Sequence, residues 1–113
     1  MAQSIVELLS RQHQRVDALA TLAGRFLDTA MKASLERLST RLSRLAAVLA
    51  TPEARARGTH GRLGGQLERL VREVGLLRLD DPEAVTHVAW SLADIEETIA
   101  VTQLLDGPVY TAN

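Results

Sequence analysis

Cysteine is absent from the chain, proline occurs three times, and tryptophan, tyrosine and phenylalanine once each. Without cysteine there is neither a disulfide framework nor a thiolate metal site, which suits a reducing compartment. The scarcity of aromatic residues argues against strands, which favour aromatic and β-branched side chains. No apolar run approaches the roughly 20 residues that span a bilayer. Residues 1–10 lack a basic start, and the next stretch is interrupted by Arg11, His13, Arg15 and Asp17. No secretory signal is therefore expected, and a cytoplasmic protein is. Lysine and arginine are missing from the last third: from Asp80 to the end there are seven acidic residues and no basic one. The net charge of −1 thus hides a basic front and an acidic back. Such asymmetry bears on what packs against what, or on which partner is attracted, rather than on chemistry.

Leucine and alanine dominate what is present, with nineteen and sixteen copies. Both are strong helix formers, and 113 residues suffice for one domain with a real core. Twelve arginines to one lysine, with abundant alanine, point to a GC-rich bacterial codon bias. Under that reading a single arginine is no evidence of nucleic-acid binding.

Ser4 and Glu7 form a capping-box pattern. Apolar positions Ile5, Leu9, Val16, Leu19, Ala23, Phe26 and Ala30 then share one helical face. A stricter seam follows in Leu35, Leu38, Leu42, Leu45 and Leu49. At roughly 100° per residue it sits about 80° around the helix from the first. Either a stutter unwinds one long helix, or the helix breaks between Gly24 and Ser34. In the second case Gly24 ends one helix and Asp28 or Ser34 caps the next. Thr51-Pro52 closes this region. Residues 51–65 form an Arg/Gly-rich connection expected to be flexible, with glycines at 58, 61, 64 and 65. Leu63, Leu67, Leu70, Val74 and Leu77 give a third seam. Asp80-Asp81-Pro82 restarts the helix, and Val85, Val88, Leu92, Ile95 and Ile99 give the fourth. Asp106-Gly107-Pro108 stops it, leaving residues 107–113 as an expected frayed tail.

Four heptad-like seams, short connections and no strand alternation predict an all-α helical bundle in a single domain over 1–113. A break in the first region makes it a four-helix up-down bundle. Continuity makes it one long N-terminal helix plus two shorter ones. That helix would be roughly 70 Å long, and a second chain would be needed to cover its first half.

Function is less legible. Opposite the core seam of the last helix runs a second heptad-spaced stripe: Glu83, His87, Trp90, Asp94, Glu97 and Val101. The chain's only tryptophan therefore points away from the core, where it is either covered by a neighbouring helix or offered to a partner. His87, Trp90, Asp94, Glu97 and Val101 form the candidate partner interface. The matching basic element is Arg37, Arg41 and Arg44, a ridge flanking the leucine seam, with Arg69 and Arg72 on the next helix. It serves as a solvated flank whose stems cover the core edge, or it faces the acidic helix within the chain or across a dimer. Arg55, Arg57 and Arg62, with His60, cluster in the glycine-rich connection and complete a candidate basic patch.

Two helical pairs, Glu83 with His87 and His13 with Asp17, have ligand spacing. No Glu-x-x-His motif accompanies them, as di-metal carboxylate bundles require. No nucleophile elbow, phosphate loop or dinucleotide fingerprint occurs. The expectation is a non-enzyme without metal or cofactor: a small protein–protein interaction module, most simply a homodimer. The alternative is a protein that binds nucleic acid or an anionic surface through the arginine-rich connection and ridge. The near-zero net charge and the lack of stacking aromatics near the cluster weigh against nucleic acid.

Overall fold

The computed structural model describes residues 4–106. Among them are six helices and no strand: α1 (Ile5–Arg25), α2 (Thr29–Leu49), α3 (Pro52–Ala56), α4 (Thr59–Arg62), α5 (Gly64–Gly75) and α6 (Pro82–Asp106). The protein is an all-α bundle. The tail expected over 107–113 lies outside the described residues.

Capping side chains set most of the helix starts. Ser4 Oγ accepts from the Glu7 amide at 3.1 Å, Thr51 Oγ1 from the Ala54 amide at 3.2 Å, and Asp81 Oδ1 from the amides of Glu83 and Ala84 at 3.1 and 3.3 Å. Each satisfies amides that have no partner inside the helix. The first region is two helices, not one long one. The Asp28 amide donates to the Ala23 carbonyl at 2.9 Å and the Leu27 amide to the Gly24 carbonyl at 3.1 Å. These paired bonds form a Schellman cap, which needs a left-handed residue just past the helix. That residue is Leu27, at φ 59°, and not Gly24, which lies inside the last turn. Asp28 then starts α2, its carboxylate accepting from the Met31 amide at 3.0 Å. Because the chain turns here, Phe26 and Ala30 leave the first seam and are exposed.

The other seams all enter the core. Leu35, Leu38, Leu42, Leu45 and Leu49 of α2 are buried, as are Leu63, Leu67, Leu70, Val74 and Leu77, and Val85, Val88, Leu92 and Ile95 of α6. Ile99 packs against them from the edge.

The four long helices form a ring in which α1 packs on α2 and α5, and α6 on α2 and α5. Helix α5 runs alongside α1 in the same direction. Ile5 and Leu8 lie by Gly64 and Leu67, and Arg15 donates from Nε and Nη2 to the carbonyls of Val74 and Gly75, both at 3.3 Å. A cation at these last carbonyls meets the negative end of α5. Helix α6 likewise follows α2, with Arg41 beside Ala89 and Val48 beside Ile99. Directions alternate along the chain as an up-down bundle demands, but the step from α2 to α5 crosses the diagonal of the ring.

Residues 51–65 make that crossing. They hold the short helices α3 and α4, with Ala54, Thr59 and Leu63 buried. His60 Nε2 lies 2.7 Å from the Leu49 carbonyl, tying α4 to the end of α2. Of the four glycines here only Gly58 takes a positive φ, 68°, where it bridges α3 and α4.

Candidate functional site

Helix α6 is the last element of the ring and touches it along one side. Its α2-facing edge carries Ala89 and Glu96; its α5-facing edge carries Ser91, Asp94 and Thr98. The outward stripe expected from the sequence is exposed at every position: Glu83, His87, Trp90, Asp94, Glu97 and Val101. Trp90 is 63% exposed. Among the described residues its indole has one aromatic neighbour, the His87 ring one turn earlier, edge-on at 5.6 Å and 65°. Apolar groups therefore occur on both sides of α6. A helix apolar all round is ordinarily covered all round; this one is covered on one side.

The acidic groups of the stripe divide in two. Asp94 is engaged: its Oδ2 accepts from Gln66 Nε2 at 2.9 Å, and the same amide reaches Thr98 Oγ1 at 3.1 Å. The carboxylates of Glu83 and Glu97 meet no cation among the described residues. A fixed negative field thus surrounds an apolar anchor, a pattern that selects partners by charge and holds them by burial.

The basic ridge does meet the acidic helix within the chain, through one residue. Arg41 forks onto Glu96, with Nη2 to Oε1 at 2.7 Å and Nε to Oε2 at 3.2 Å, and reaches the Ala89 carbonyl at 3.3 Å. Arg37 stays on its own helix, donating to Ser34 Oγ at 3.3 Å. Arg44 is exposed on the same flank. Arg69 pairs with Glu73 at 3.7 Å, and Glu73 also accepts from the Ser91 hydroxyl. Arg55 is exposed on α3, Arg57 just past its end and Arg62 on α4, at the end of the bundle where α2 stops. Arg57 borders a small crevice with Val48, Ala54 and Ile99. The candidate basic patch is therefore spread over three helices, and its central residue, Arg41, is already spoken for.

Neither metal-spaced pair gathers further ligands. His13 Nε2 lies 3.6 Å from Asp17 Oδ2, but Asp17 also accepts from the buried Ser39 hydroxyl, which ties α1 to α2. Among the described residues no three His, Cys, Asp or Glu side chains converge as a metal site would require. Nor is any described helix long and apolar enough to cross a membrane.

Two exposed apolar features escaped the sequence reading. One is the tip of the α1–α2 hairpin, with Leu22 at 39%, Phe26 at 74% and Leu27 at 86% exposed. The other is Leu76, 65% exposed, at the end of α5. Leu76 borders an open cleft of about 360 Å³ shared with Glu73, Asp81, Glu83, Ala84 and His87. His87, which lines this cleft, is also the ring neighbour of Trp90. Phe26 fell into the apparent seam of α1, and Leu27 and Leu76 sit among leucines that are core. Only the turn geometry separates them. Comparison with protein-family models, curated proteins and solved structures finds no match to the chain.

Proposed function

We propose that this protein is a protein–protein interaction module whose working surface is the outward face of α6, with Trp90 as its anchor. The observation that carries the reading is the exposed indole on a helix that, among the described residues, is packed from one side. Covering it removes on the order of 100–150 Å² of mostly apolar surface, a gross gain of about 3 kcal/mol before association costs. That is the scale of an interface hot spot. The partner is most simply a second copy of the chain, and the reading assigns the protein no catalysis and no cofactor. The cysteine-free, arginine-heavy composition supports a bacterial, cytoplasmic setting.

Glu83, Asp94 and Glu97 make direct pairing of two α6 faces unfavourable, because like charges would oppose each other. The surface across from Trp90 should therefore carry positive charge. Sedimentation equilibrium up to high micromolar concentration tests the reading. A dimer is expected, and Trp90→Ala should weaken it more than any single arginine substitution. A monomer throughout, together with turnover of a substrate or stoichiometric metal by elemental analysis, would overturn the proposal.

A further inference from the structure

The exposed apolar tip of the α1–α2 hairpin has no cover among the described residues, and a second feature indicates what covers it. Arg15 sits at the end of α5 and is ten residues before the end of α1. The hairpin therefore runs about 15 Å past α5 at 1.5 Å per residue. By the same measure it overhangs the start of α6 by about 3–8 Å, since Val48 marks the level of Ile99 and Arg41 that of Ala89. The bundle thus ends in a step, with Phe26 and Leu27 on the projecting part. The cleft lined by Leu76, Asp81, Glu83 and His87 lies at the same end, on the shorter part.

The two features are complementary. The tip joins bulky apolar side chains to Arg25 and Lys32, neither of which has an ionic partner among the described residues. Asp28, the one acid there, is occupied as the α2 cap. The cleft joins Leu76, His87 and the neighbouring Trp90 to the carboxylate of Glu83, with Asp81, the α6 cap, adding its negative charge beside it. We infer that the hairpin tip of one copy seats in the cleft of a second copy, and that the second copy's tip seats in the first. Two overhanging steps laid end to end about a two-fold axis fit in this way, and an isologous contact repeats each half. One tip alone covers less surface than a stable interface needs, so the reciprocal contact matters. An anionic membrane also suits an apolar tip flanked by cations. It is disfavoured here because Asp81 and Glu83 would be carried to the same negative surface, Asp80 being paired with Arg78 at 2.9 Å.

Leu27 fits this role. A left-handed leucine is costly, and the strain holds a side chain outward that a glycine would lack. The inference rests on the reading of the Trp90 face and adds the element that meets it.

Phe26→Asp and Leu76→Asp test it, both at exposed positions where folding should survive; unchanged circular dichroism melting checks that. Each alone should weaken dimerisation by about tenfold or more, as hot-spot truncation does. An equimolar mixture of the two should associate more tightly than either alone, because one intact tip meets one intact cleft. If Phe26→Asp dimerises like the parent, or the mixture gains nothing, the inference is wrong. If Trp90→Ala weakens the dimer while Phe26→Asp does not, the Trp90 face stands and the tip contact falls. Flotation with phosphatidylserine vesicles that depends on Phe26, by a chain that stays monomeric, would also overturn it.

Discussion

Replacing Leu27 by glycine should make the protein more stable. Leu27 is held at φ 59° by the two bonds that close α1, and its side chain is 86% exposed. A left-handed conformation costs a non-glycine residue about 1–2 kcal/mol, through the clash of Cβ with the following carbonyl oxygen. Removing the side chain sacrifices little burial. Against the gain stands the greater freedom of glycine in the unfolded chain, roughly 0.5–1 kcal/mol. The net expectation is a stabilisation of about 0.5–1 kcal/mol. With an unfolding entropy of about 0.24 kcal/mol/K for a chain of this length, that raises Tm by about 2–4 °C. Leu27→Ala is the control, since it keeps the Cβ and should stay within about 0.5 kcal/mol of the parent. Thermal unfolding by circular dichroism at low micromolar concentration is the assay, chosen so that association adds little to the apparent stability. A lower Tm for Leu27→Gly, or equal shifts for glycine and alanine, would refute the reasoning. The same substitution should weaken self-association, because it deletes part of the tip.

Gly24→Ala should also stabilise, by about 0.5 kcal/mol, because a helix interior prefers alanine and the added Cβ meets only the flexible Lys32 side chain at 3.3 Å; a loss in the same melting assay would show that Lys32 cannot move aside. A double-mutant cycle on Arg41→Ala and Glu96→Ala should give a coupling of about 0.5–1 kcal/mol that fades with salt, the pair being partly exposed. A coupling that persists undiminished in concentrated salt would contradict this. Leu70→Ala should cost about 2–5 kcal/mol in urea unfolding, since Leu70 is completely buried. Leu76→Ala, by contrast, should change stability by less than about 0.5 kcal/mol, and comparable losses at both would mean the core is misplaced.

Most of the fold could be read from spacing because this core is built from leucine at helical intervals. The seams at Leu35–Leu49, Leu63–Leu77 and Val85–Ile95 are buried as their periods require. The caps at Ser4 and at the aspartates before Pro82 were equally legible, because a serine or aspartate in front of an apolar period can satisfy amides that nothing else reaches. Thr51 read only as the end of the preceding helix, and its capping of α3 was not apparent. The break between α1 and α2 was open for a physical reason. Every residue there tolerates helix, and the residue that turns the chain is a leucine, where glycine or asparagine is the usual left-handed type. The diagonal step from α2 to α5 was invisible too, because short connections constrain which ends meet and not which neighbours result.

The candidate site was legible as a stripe and illegible as a surface. Heptad spacing placed Trp90 opposite the core, and among the described residues the packed ring of helices leaves that side of α6 uncovered. What the spacing could not tell was how the seven acids of the last third are used. Glu96 is spent on Arg41 and Asp94 on Gln66, so part of the asymmetry fastens α6 to α2 and α5. Glu83 and Glu97 are left facing outward beside the indole, with no cation among the described residues. A helix stripped of lysine and arginine cannot neutralise those carboxylates along its own length, so any cation that meets them comes from another element or another molecule. Exposed charge of this kind changes encounter rate more than affinity, whereas burial of an indole changes affinity more than rate. The two contributions should therefore separate in kinetics, with salt slowing association and loss of Trp90 hastening dissociation.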